Sequence, residues 1–384
     1  MKLDKYCIFT MICCMSLAAC KKTPMPDPTP VASGENCYIV SDFTSPFAFK
    51  ADVKGCSNTP LDKWDTAEVL WESKGTEEAT SVGDIITITP DVNSQIITVN
   101  AKKNGNAVVA VKKDGKILWS WHIWACEGYN PDATAQKYNN NAGVVMDRNL
   151  GATSATPGKP QTIGLLYQWG RKDPFLSGGK CTYDGKTYSM AASTITDWPK
   201  PVTSDADCGT IEYAIENPTT FIKCNESNED WFFTGDTSTD QTRWSGSAKT
   251  IYDPCPKGWM MMSGNTDGVW ANAFNFHKYF DHIENDPIDQ EKGGFEFGKS
   301  AATPLSQEAS TWYPCGGLID FHDGYLDLVG KGGYYWTGSI FYGGKELKSQ
   351  SRSAFMWIAA LVTPCSGGAR SFACNVRCVK IAVK

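Results

Sequence analysis

Histidine and cysteine most often carry catalysis or metal binding, and this chain of 384 residues has four histidines and fifteen cysteines. The histidines form no His-Glu-x-x-His pattern, and the sequence has no Gly-x-Ser-x-Gly nucleophile turn. The spacing from Cys374 to Cys378 does not match a zinc knuckle. The glycine-rich segment 330–333 leads into an aromatic strand pattern, whereas a phosphate-binding loop leads into a helix. We therefore predict a non-enzymatic protein with no catalytic residue, metal site or cofactor.

The segment Leu17-Ala18-Ala19-Cys20 has a different chemical meaning. Small residues directly before a cysteine resemble the lipobox of bacterial lipoproteins, whose cysteine forms a thioether with a diacylglycerol. Lysines at positions 2 and 5 precede an apolar run over 7–19, which has the length of a signal peptide. That run is too short to span a hydrocarbon core of ~30 Å. We predict a signal peptide over 1–19 and lipidation of Cys20, which would attach the protein to a membrane; the alternative is an ordinary cleaved signal.

The residues after Cys20 predict an extended tether over residues 20–36. Prolines alternate with other residues from Pro24 to Pro30, and proline-rich segments act as semi-rigid spacers. The expected location is the outer membrane of the cell. In lipoproteins of gut-type Bacteroidetes an acidic run after the cysteine tends to mark export to the outer surface, and here Lys21-Lys22 follows instead. The sequence therefore leaves open whether the folded part faces the surface or the periplasm.

Export also sets an expectation for the cysteines that follow Cys20, because disulfides persist in oxidising compartments. These eleven residues should largely pair, with at least one left over because their number is odd. They are Cys37, Cys56, Cys126, Cys181, Cys208, Cys224, Cys255, Cys315, Cys365, Cys374 and Cys378.

The composition favours a β-rich, α+β protein. Glycine, proline, tryptophan and tyrosine are abundant, and long helical stretches of Ala, Leu, Glu and Lys are scarce. The net charge of −6 is mild, and no basic block indicates nucleic-acid binding. No apolar run after residue 20 is long enough for a transmembrane helix.

Residues 37–128 carry the pattern of an immunoglobulin-like β-sandwich. Short β-branched and aromatic runs alternate with turns, and about seven such runs suit that architecture. The clearest element is a hairpin in which Asp114-Gly115 joins two apolar strands, a strong type I′ turn signal. The polar, turn-rich residues 129–141 predict a linker, after which the character of the sequence changes.

Five segments beyond the linker occur in an order typical of one family. They are Val145–Ala152 (VMDRNLGA), Gly164–Pro174 (GLLYQWGRKDP), Tyr252–Trp259 (YDPCPKGW), Gly333–Thr337 (GYYWT) and Val376–Lys380 (VRCVK). Together they resemble the Fibrobacter-type major paralogous (FISUMP) domain found in lipoproteins of Bacteroidetes. The resemblance covers residues 142–384. It implies a fold similar to C-type lectins and to formylglycine-generating enzymes, with long ordered loops, and a sandwich of the kind predicted here often precedes it.

The resemblance also implies a Cys255–Cys378 disulfide that ties a strand in the middle of the domain to the last strand. Calcium-dependent sugar binding would need carboxylate–amide pairs beside a proline. The sequence has only Glu216-Asn217-Pro218, in the wrong order. Formylglycine-generating enzymes use a reactive cysteine pair near copper, and Cys365 and Cys374 are the thiols that invite this alternative, although the surrounding family motif is missing.

Aromatic rings could instead bind a ligand by stacking. We single out Tyr325 and Tyr342, which lie next to glycines, and Trp312, although rings in a folded domain are buried by default. The function expected from all these features is adhesion, or binding of a glycan or of an envelope or host protein, and the protein could serve it as a component of a fimbria. The alternatives are a structural or assembly component of the envelope and, least favoured, a copper oxidase.

Overall fold

The N-terminal region forms seven strands in two facing sheets. In the computed structural model, residues 28–32, 34–180, 189–225, 228–235, 240–283, 288–298, 304–306, 310–343 and 352–382 are described. The strands are β1 (Cys37–Val40), β2 (Phe47–Lys50), β3 (Thr66–Ser73), β4 (Ile86–Asp91), β5 (Ile96–Ala101), β6 (Gly105–Lys113) and β7 (Lys116–Ala125). One sheet has the order β1-β7-β6-β3 and the other β2-β5-β4. β1 runs parallel to β7, and the other neighbours are antiparallel.

Side chains alternate between the two faces of each strand, and those that point inward form the core between the two sheets. Phe49 and Ile97 from one sheet and Val109 and Trp121 from the other are buried in the same cluster. The rings of Phe49 and Trp121 meet edge to face with centroids 5.4 Å apart. The β6–β7 hairpin turns at Asp114 and Gly115 with φ of 51° and 80°, which is the left-handed pair that a type I′ turn requires.

The C-terminal region consists of many shorter strands, three short α-helices and three single-turn 3-10 helices among the described residues. The α-helices are α1 (Pro131–Thr134), α2 (Ile211–Glu216) and α3 (Val269–Phe274). The strands are β8 (Gln136–Tyr138), β9 (Gly143–Val145), β10 (Leu165–Gln168), β11 (Phe175–Leu176), β12 (Val202–Thr203), β13 (Ile222–Lys223), β14 (Trp259–Met260), β15 (Gly294–Phe297), β16 (Thr311–Pro314), β17 (Leu318–Ile319), β18 (Leu326–Asp327), β19 (Gly333–Ile340), β20 (Arg352–Ile358), β21 (Val362–Ala369), β22 (Ala373–Val376) and β23 (Val379–Lys380). This predominance of strands confirms the prediction of a β-rich protein.

The largest C-terminal sheet has the order β11-β10-β22-β19-β20-β21, with β17 and β18 added beside β22. A second sheet, β14-β23-β9-β8, brings the last strand against the start of the region. The remaining strands form the pairs β12-β13 and β15-β16. Helix α2 begins where the Thr210 hydroxyl accepts a hydrogen bond from the Tyr213 N–H, a typical N-cap. Within the described residues, no helix is both long enough and apolar enough to cross a membrane.

The segment predicted as a linker, 129–141, contains α1 and β8. β8 pairs with β9, so these residues belong to a C-terminal sheet. The two regions also share a core. Trp71, Val108 and Trp124, on the outer face of the four-stranded sheet, are buried in one cluster with Leu165 and Trp169. The sandwich therefore packs face-on against the C-terminal region.

Polar side chains cross this shared face. Lys172 Nζ donates to both carboxylate oxygens of Asp173 at 2.7 and 2.8 Å and to the Ser120 carbonyl of β7 at 3.0 Å. Asp173 also accepts from the Ser120 hydroxyl at 2.6 Å. Both charges are buried and paired with each other, and each contacts Ser120 across the junction. Removing either charge would leave the other without compensation. The network fixes the orientation of the two regions.

A buried imidazole adds a second link. Asn106 Nδ2 donates to the Gly151 carbonyl at 2.8 Å, so its Oδ1 faces His122 Nε2 at 2.9 Å. His122 Nε2 must therefore carry the proton in this contact. The other ring nitrogen lies 3.3 Å from the Tyr167 hydroxyl. Burial lowers the pKa of His122 to about 3, so the imidazole is neutral at physiological pH.

Among the described residues, the cysteines form fewer disulfides than the sequence predicts. The structure joins Cys255, which lies in the turn before β14, and Cys378, which directly precedes β23, in the one disulfide found among the described residues. Thiols remain at Cys37, Cys56, Cys126, Cys208, Cys224, Cys365 and Cys374. Cys20 and Cys181 lie outside the described residues. The prediction of extensive pairing was therefore wrong for this part of the chain, because most of these thiols pack as small side chains in the interior.

Candidate ligand-binding cleft

A polar cleft of about 720 Å³ lies at the end of the C-terminal region where three distant segments meet. They are residues 241–247, residues 263–267 after β14, and the end of β19 with the residues that follow it, and Tyr279 adds one further side chain to the wall. Hydroxyl and amide side chains dominate its walls. These include Thr242, Ser245, Ser247, Ser263, Thr266 and Ser339. Such a surface can exchange hydrogen bonds with a ligand rich in hydroxyl groups.

Glycines allow the three segments to approach each other. A Cβ on Gly338 would lie 2.4 Å from the carbonyl carbon of Ser245, and one on Gly246 would lie 2.5 Å from Cα of Ser263. No side chain fits at such distances, so glycine is required at both positions for the segments to meet at the floor of the cleft. Hydrogen bonds complete the junction, since the Gly264 N–H donates to the Ser339 hydroxyl at 2.9 Å and the Gly338 N–H donates to the Met262 carbonyl at 2.8 Å.

Asn265 has an unusual position in the wall. Its backbone is left-handed, with φ of 66°, a conformation that asparagine tolerates better than most residues. Its Nδ2 donates to the Ile340 carbonyl at 2.7 Å, whereas its buried Oδ1 has no hydrogen-bond partner within the described structure. This oxygen is buried beneath the surface of the wall, so it is not open to a ligand in the cleft.

Two tyrosines form the aromatic side of the cleft. Tyr342 is 69% exposed, and Tyr279 packs edge to face on Phe341 with ring centroids 5.1 Å apart. Partial burial, followed by nearby Cys365 and Asp267, raises the pKa of Tyr279, so its hydroxyl remains protonated and able to donate. Asp267 is the one charged side chain among the described residues that line the cleft. The walls therefore favour a neutral polar ligand over an anionic one.

The three rings singled out in the sequence have different fates. Tyr342 lines the cleft, whereas Tyr325 is 67% exposed in the turn between β17 and β18 and is not part of the wall. Trp312 corrects an expectation, because it is only 5% exposed and its Nε1 donates to the Thr162 hydroxyl at 3.1 Å. The indole ring is therefore buried in the core, and neither of its faces is available for stacking against a ligand. The Cys20 site lies outside the described residues.

The cysteines that invited the oxidase alternative do not have the setting of reactive thiols. Burial raises the pKa of Cys365 to about 12 and that of Cys374 well above its ordinary value. Cys365 Sγ lies 3.2 Å from the Asn265 carbonyl, beneath the cleft wall. Reactive cysteines need an electropositive, partly exposed environment that favours the thiolate, and neither site provides one.

Metal binding has no support in the described part of the chain, where no group of three or more His, Cys, Asp or Glu side chains could hold an ion. The Glu216-Asn217-Pro218 segment lies at the end of α2. There, Glu216 pairs with Lys116 at 3.6 Å, and Asn217 Nδ2 donates to the Tyr213 carbonyl at 3.0 Å. The arrangement caps a helix and contacts the sandwich.

Sequence reasoning missed most of the cleft. The available signal was the repeated association of glycine with small polar residues in Ser245-Gly246-Ser247, Ser263-Gly264-Asn265 and Thr337-Gly338-Ser339. Each segment is unremarkable alone, and only their meeting creates a site.

A scan against family models found no match for this chain, and searches of curated proteins and of solved structures found no similar protein either.

Proposed function

We propose that this chain is a lipid-anchored protein of the outer membrane that binds a neutral carbohydrate without catalysis. One observation carries the binding function. The cleft of about 720 Å³ combines many hydroxyl and amide groups with the exposed ring of Tyr342 and contains one charged side chain among its described residues. Sugars present hydroxyl groups around an apolar ring face, so they match such a surface on both counts.

The fold proposed for this protein is an immunoglobulin-like sandwich followed by a C-type-lectin-like domain of the FISUMP type. The strand order β1-β7-β6-β3 over β2-β5-β4 supports the first part. The five sequence segments and the disulfide between Cys255 and Cys378 support the second. The predicted roles in adhesion or in a fimbria would follow from carbohydrate binding at the cell surface and remain part of the proposal.

The two exposed tyrosines offer a matched test of the binding function. We would screen the full chain and its Tyr342→Ala and Tyr325→Ala variants against a glycan array, with and without a calcium chelator. Loss of one stacking ring should weaken binding about tenfold in Tyr342→Ala, because an aromatic contact is worth roughly 1 kcal/mol or more. Tyr325→Ala should bind like the wild type, and chelation should change nothing. Silence across the array, or equal losses in both variants, would contradict the proposal.

The anchor needs a separate test because it depends on Cys20 alone. Cells grown with a labelled fatty acid should label the wild type and not the Cys20→Ala variant, which should also leave the membrane fraction. Surface protease treatment of intact cells would then establish which side the cleft faces. Complete protection from protease would place the protein in the periplasm and exclude adhesion, although it would leave carbohydrate binding intact.

A further inference from the structure

An exposed phenylalanine lies next to the cleft. Phe280 is 54% exposed, and its backbone is left-handed with φ of 65°. Bulky residues rarely adopt this conformation, which costs free energy, and solvent exposure of a phenyl ring brings no burial in return. Neither local backbone preference nor the core explains a phenylalanine at this position. Strain of this kind is concentrated at ligand sites.

The surroundings of Phe280 hold its ring in place. Its N–H donates to the Cys365 carbonyl of β21 at 3.1 Å, and the neighbouring Ile283 forms a bridge with Val362 of the same strand. The ring of Phe280 meets that of Phe341 edge to face, with centroids 5.9 Å apart. The backbone conformation is therefore imposed by β21, and one side of the phenyl ring is supported.

The same Phe341 ring connects Phe280 to the cleft. Tyr279, which lines the cleft, packs on Phe341 with centroids 5.1 Å apart, and Tyr342 directly follows Phe341 in the chain. The rings of Tyr279, Phe341 and Phe280 thus form one continuous ridge that begins at the cleft wall and ends at Phe280. Phe280 is the exposed ring of this ridge, whereas Tyr279 and Phe341 are half-buried.

We propose that Phe280 is a second binding position that stacks against the sugar next to the one held in the cleft. The ligand would then be an oligosaccharide of at least two neutral units. This inference rests on the proposed carbohydrate binding and adds a length requirement to it. Rigid, exposed aromatic rings lose little conformational entropy on binding, which suits them to such contacts.

The test uses an array of uncharged gluco-, manno- and galacto-oligosaccharides from one to four units long, followed by calorimetry on those that bind. We expect the wild-type full chain to bind two-unit and longer ligands about tenfold more tightly than single sugars. Phe280→Ala should abolish this gain and keep the affinity for single sugars. Tyr325→Ala, which removes a ring of similar exposure away from the ridge, should keep both affinities.

A measurement without ligand separates binding from packing. Phe280→Gly relieves the left-handed backbone, so its melting temperature should equal or exceed that of the wild type. A fall of more than about 3 °C would identify the ring as a packing residue and overturn the inference. Length-independent affinity, or an unaltered gain in Phe280→Ala, would overturn the second position alone. Absence of any bound sugar would overturn both this inference and the proposed function.

Discussion

The two regions of this protein achieve order by different physical means. The sandwich uses long strands, such as the nine residues of β6 and the ten of β7, whose backbone groups pair with neighbouring strands. In the C-terminal region many strands have only two to four residues, and long connections lie between them. Such connections cannot satisfy their carbonyl groups by pairing with a neighbouring strand, so other donors must do so.

Buried arginines supply those donors. Arg243 and Arg370, both fully buried, share the carboxylate of Asp230 and also donate to the Asp240 carbonyl. Arg370 lies 4.5 Å from the centre of the Trp169 ring. Burial lowers the pKa of Arg370 to about 10, which still leaves it protonated at neutral pH. A guanidinium has five N–H donors, so one side chain can hold several loop segments at once.

The comparison explains where a binding site can arise. Backbone pairing between long strands restricts the path of the chain. Loops that are held by side-chain contacts can follow more varied paths. The cleft lies among such loops. It is close to the charged cluster formed by Asp230, Arg243 and Arg370, because its wall includes the residues on both sides of Arg243 in sequence. The charged cluster should therefore be essential to the C-terminal region.

The largest expected effect follows from breaking that cluster. Asp230→Asn would leave two buried arginines without a carboxylate, which should lower the free energy of unfolding by about 3–5 kcal/mol. Urea unfolding followed by tryptophan fluorescence would measure it. A loss below about 1 kcal/mol would mean that the loops are held by something other than these arginines.

A smaller effect is expected from the Cys255–Cys378 disulfide, whose partners are 123 residues apart. The bond restricts the unfolded chain, so its double replacement by alanine should cost about 2–4 kcal/mol. Non-reducing peptide mapping would first verify the pair in the wild type. Equal unfolding free energies with and without the bond would show that the short strands around it hold the region by themselves.

The third prediction concerns pH and the buried Asp253, near the junction of the two regions. Burial raises the pKa of Asp253 to about 6 from an ordinary value of 3.8. A raised acid pKa stabilises the folded state fully below pH 3.8, and this contribution is lost as pH rises through 6. The loss at neutral pH should be on the order of a few kcal/mol.

Asp253→Asn tests this directly in unfolding measurements between pH 4 and 7. The variant also alters the acceptors for the N–H groups of Cys255 and Met261, so its absolute stability carries little information. The informative quantity is the difference between wild type and variant, which should change with pH most steeply between 3.8 and 6 and become constant above 6. A difference that is constant across the range would contradict the raised pKa.

The smallest effect is expected on the surface of the sandwich. Glu68 and Lys112 form an ion pair of 2.5 Å on neighbouring strands, with the Glu68 side chain about half exposed. Because surface pairs contribute little, Glu68→Gln should change the free energy of unfolding by less than about 1 kcal/mol. This variant is the matched control for Asp230→Asn, and a comparable loss in both would remove the contrast between the two regions.

The sandwich was the more predictable of the two regions. Alternating apolar residues indicated its strands, and Asp114-Gly115 indicated the hairpin turn. The nearly continuous apolar run of β6, all buried from Gly105 to Val111, also contained a sign that both of its faces are covered. A run of this kind does not identify the element that covers the second face, so only the structure shows that the outer face packs against the C-terminal region.

The cleft was far less predictable. Tyr325 and Tyr342 have similar neighbours in sequence and nearly equal exposure, and yet only Tyr342 lines the cleft. Trp312 had the same standing as a candidate and is buried. Sequence context within a few residues reports on turns and strands, and it carries no information about which distant segment lies opposite a ring.

Sequence alone determined the strand-rich character of the chain and the course of its hairpin, because side-chain periodicity and turn chemistry act over a few residues. Tertiary structure decided which thiols remain unpaired, which rings are buried and how three segments between residues 241 and 342 form a single cleft. Those outcomes depend on contacts between residues far apart in sequence, where glycines permit close approach and buried arginines hold the loops. Such contacts form only when the whole chain has folded.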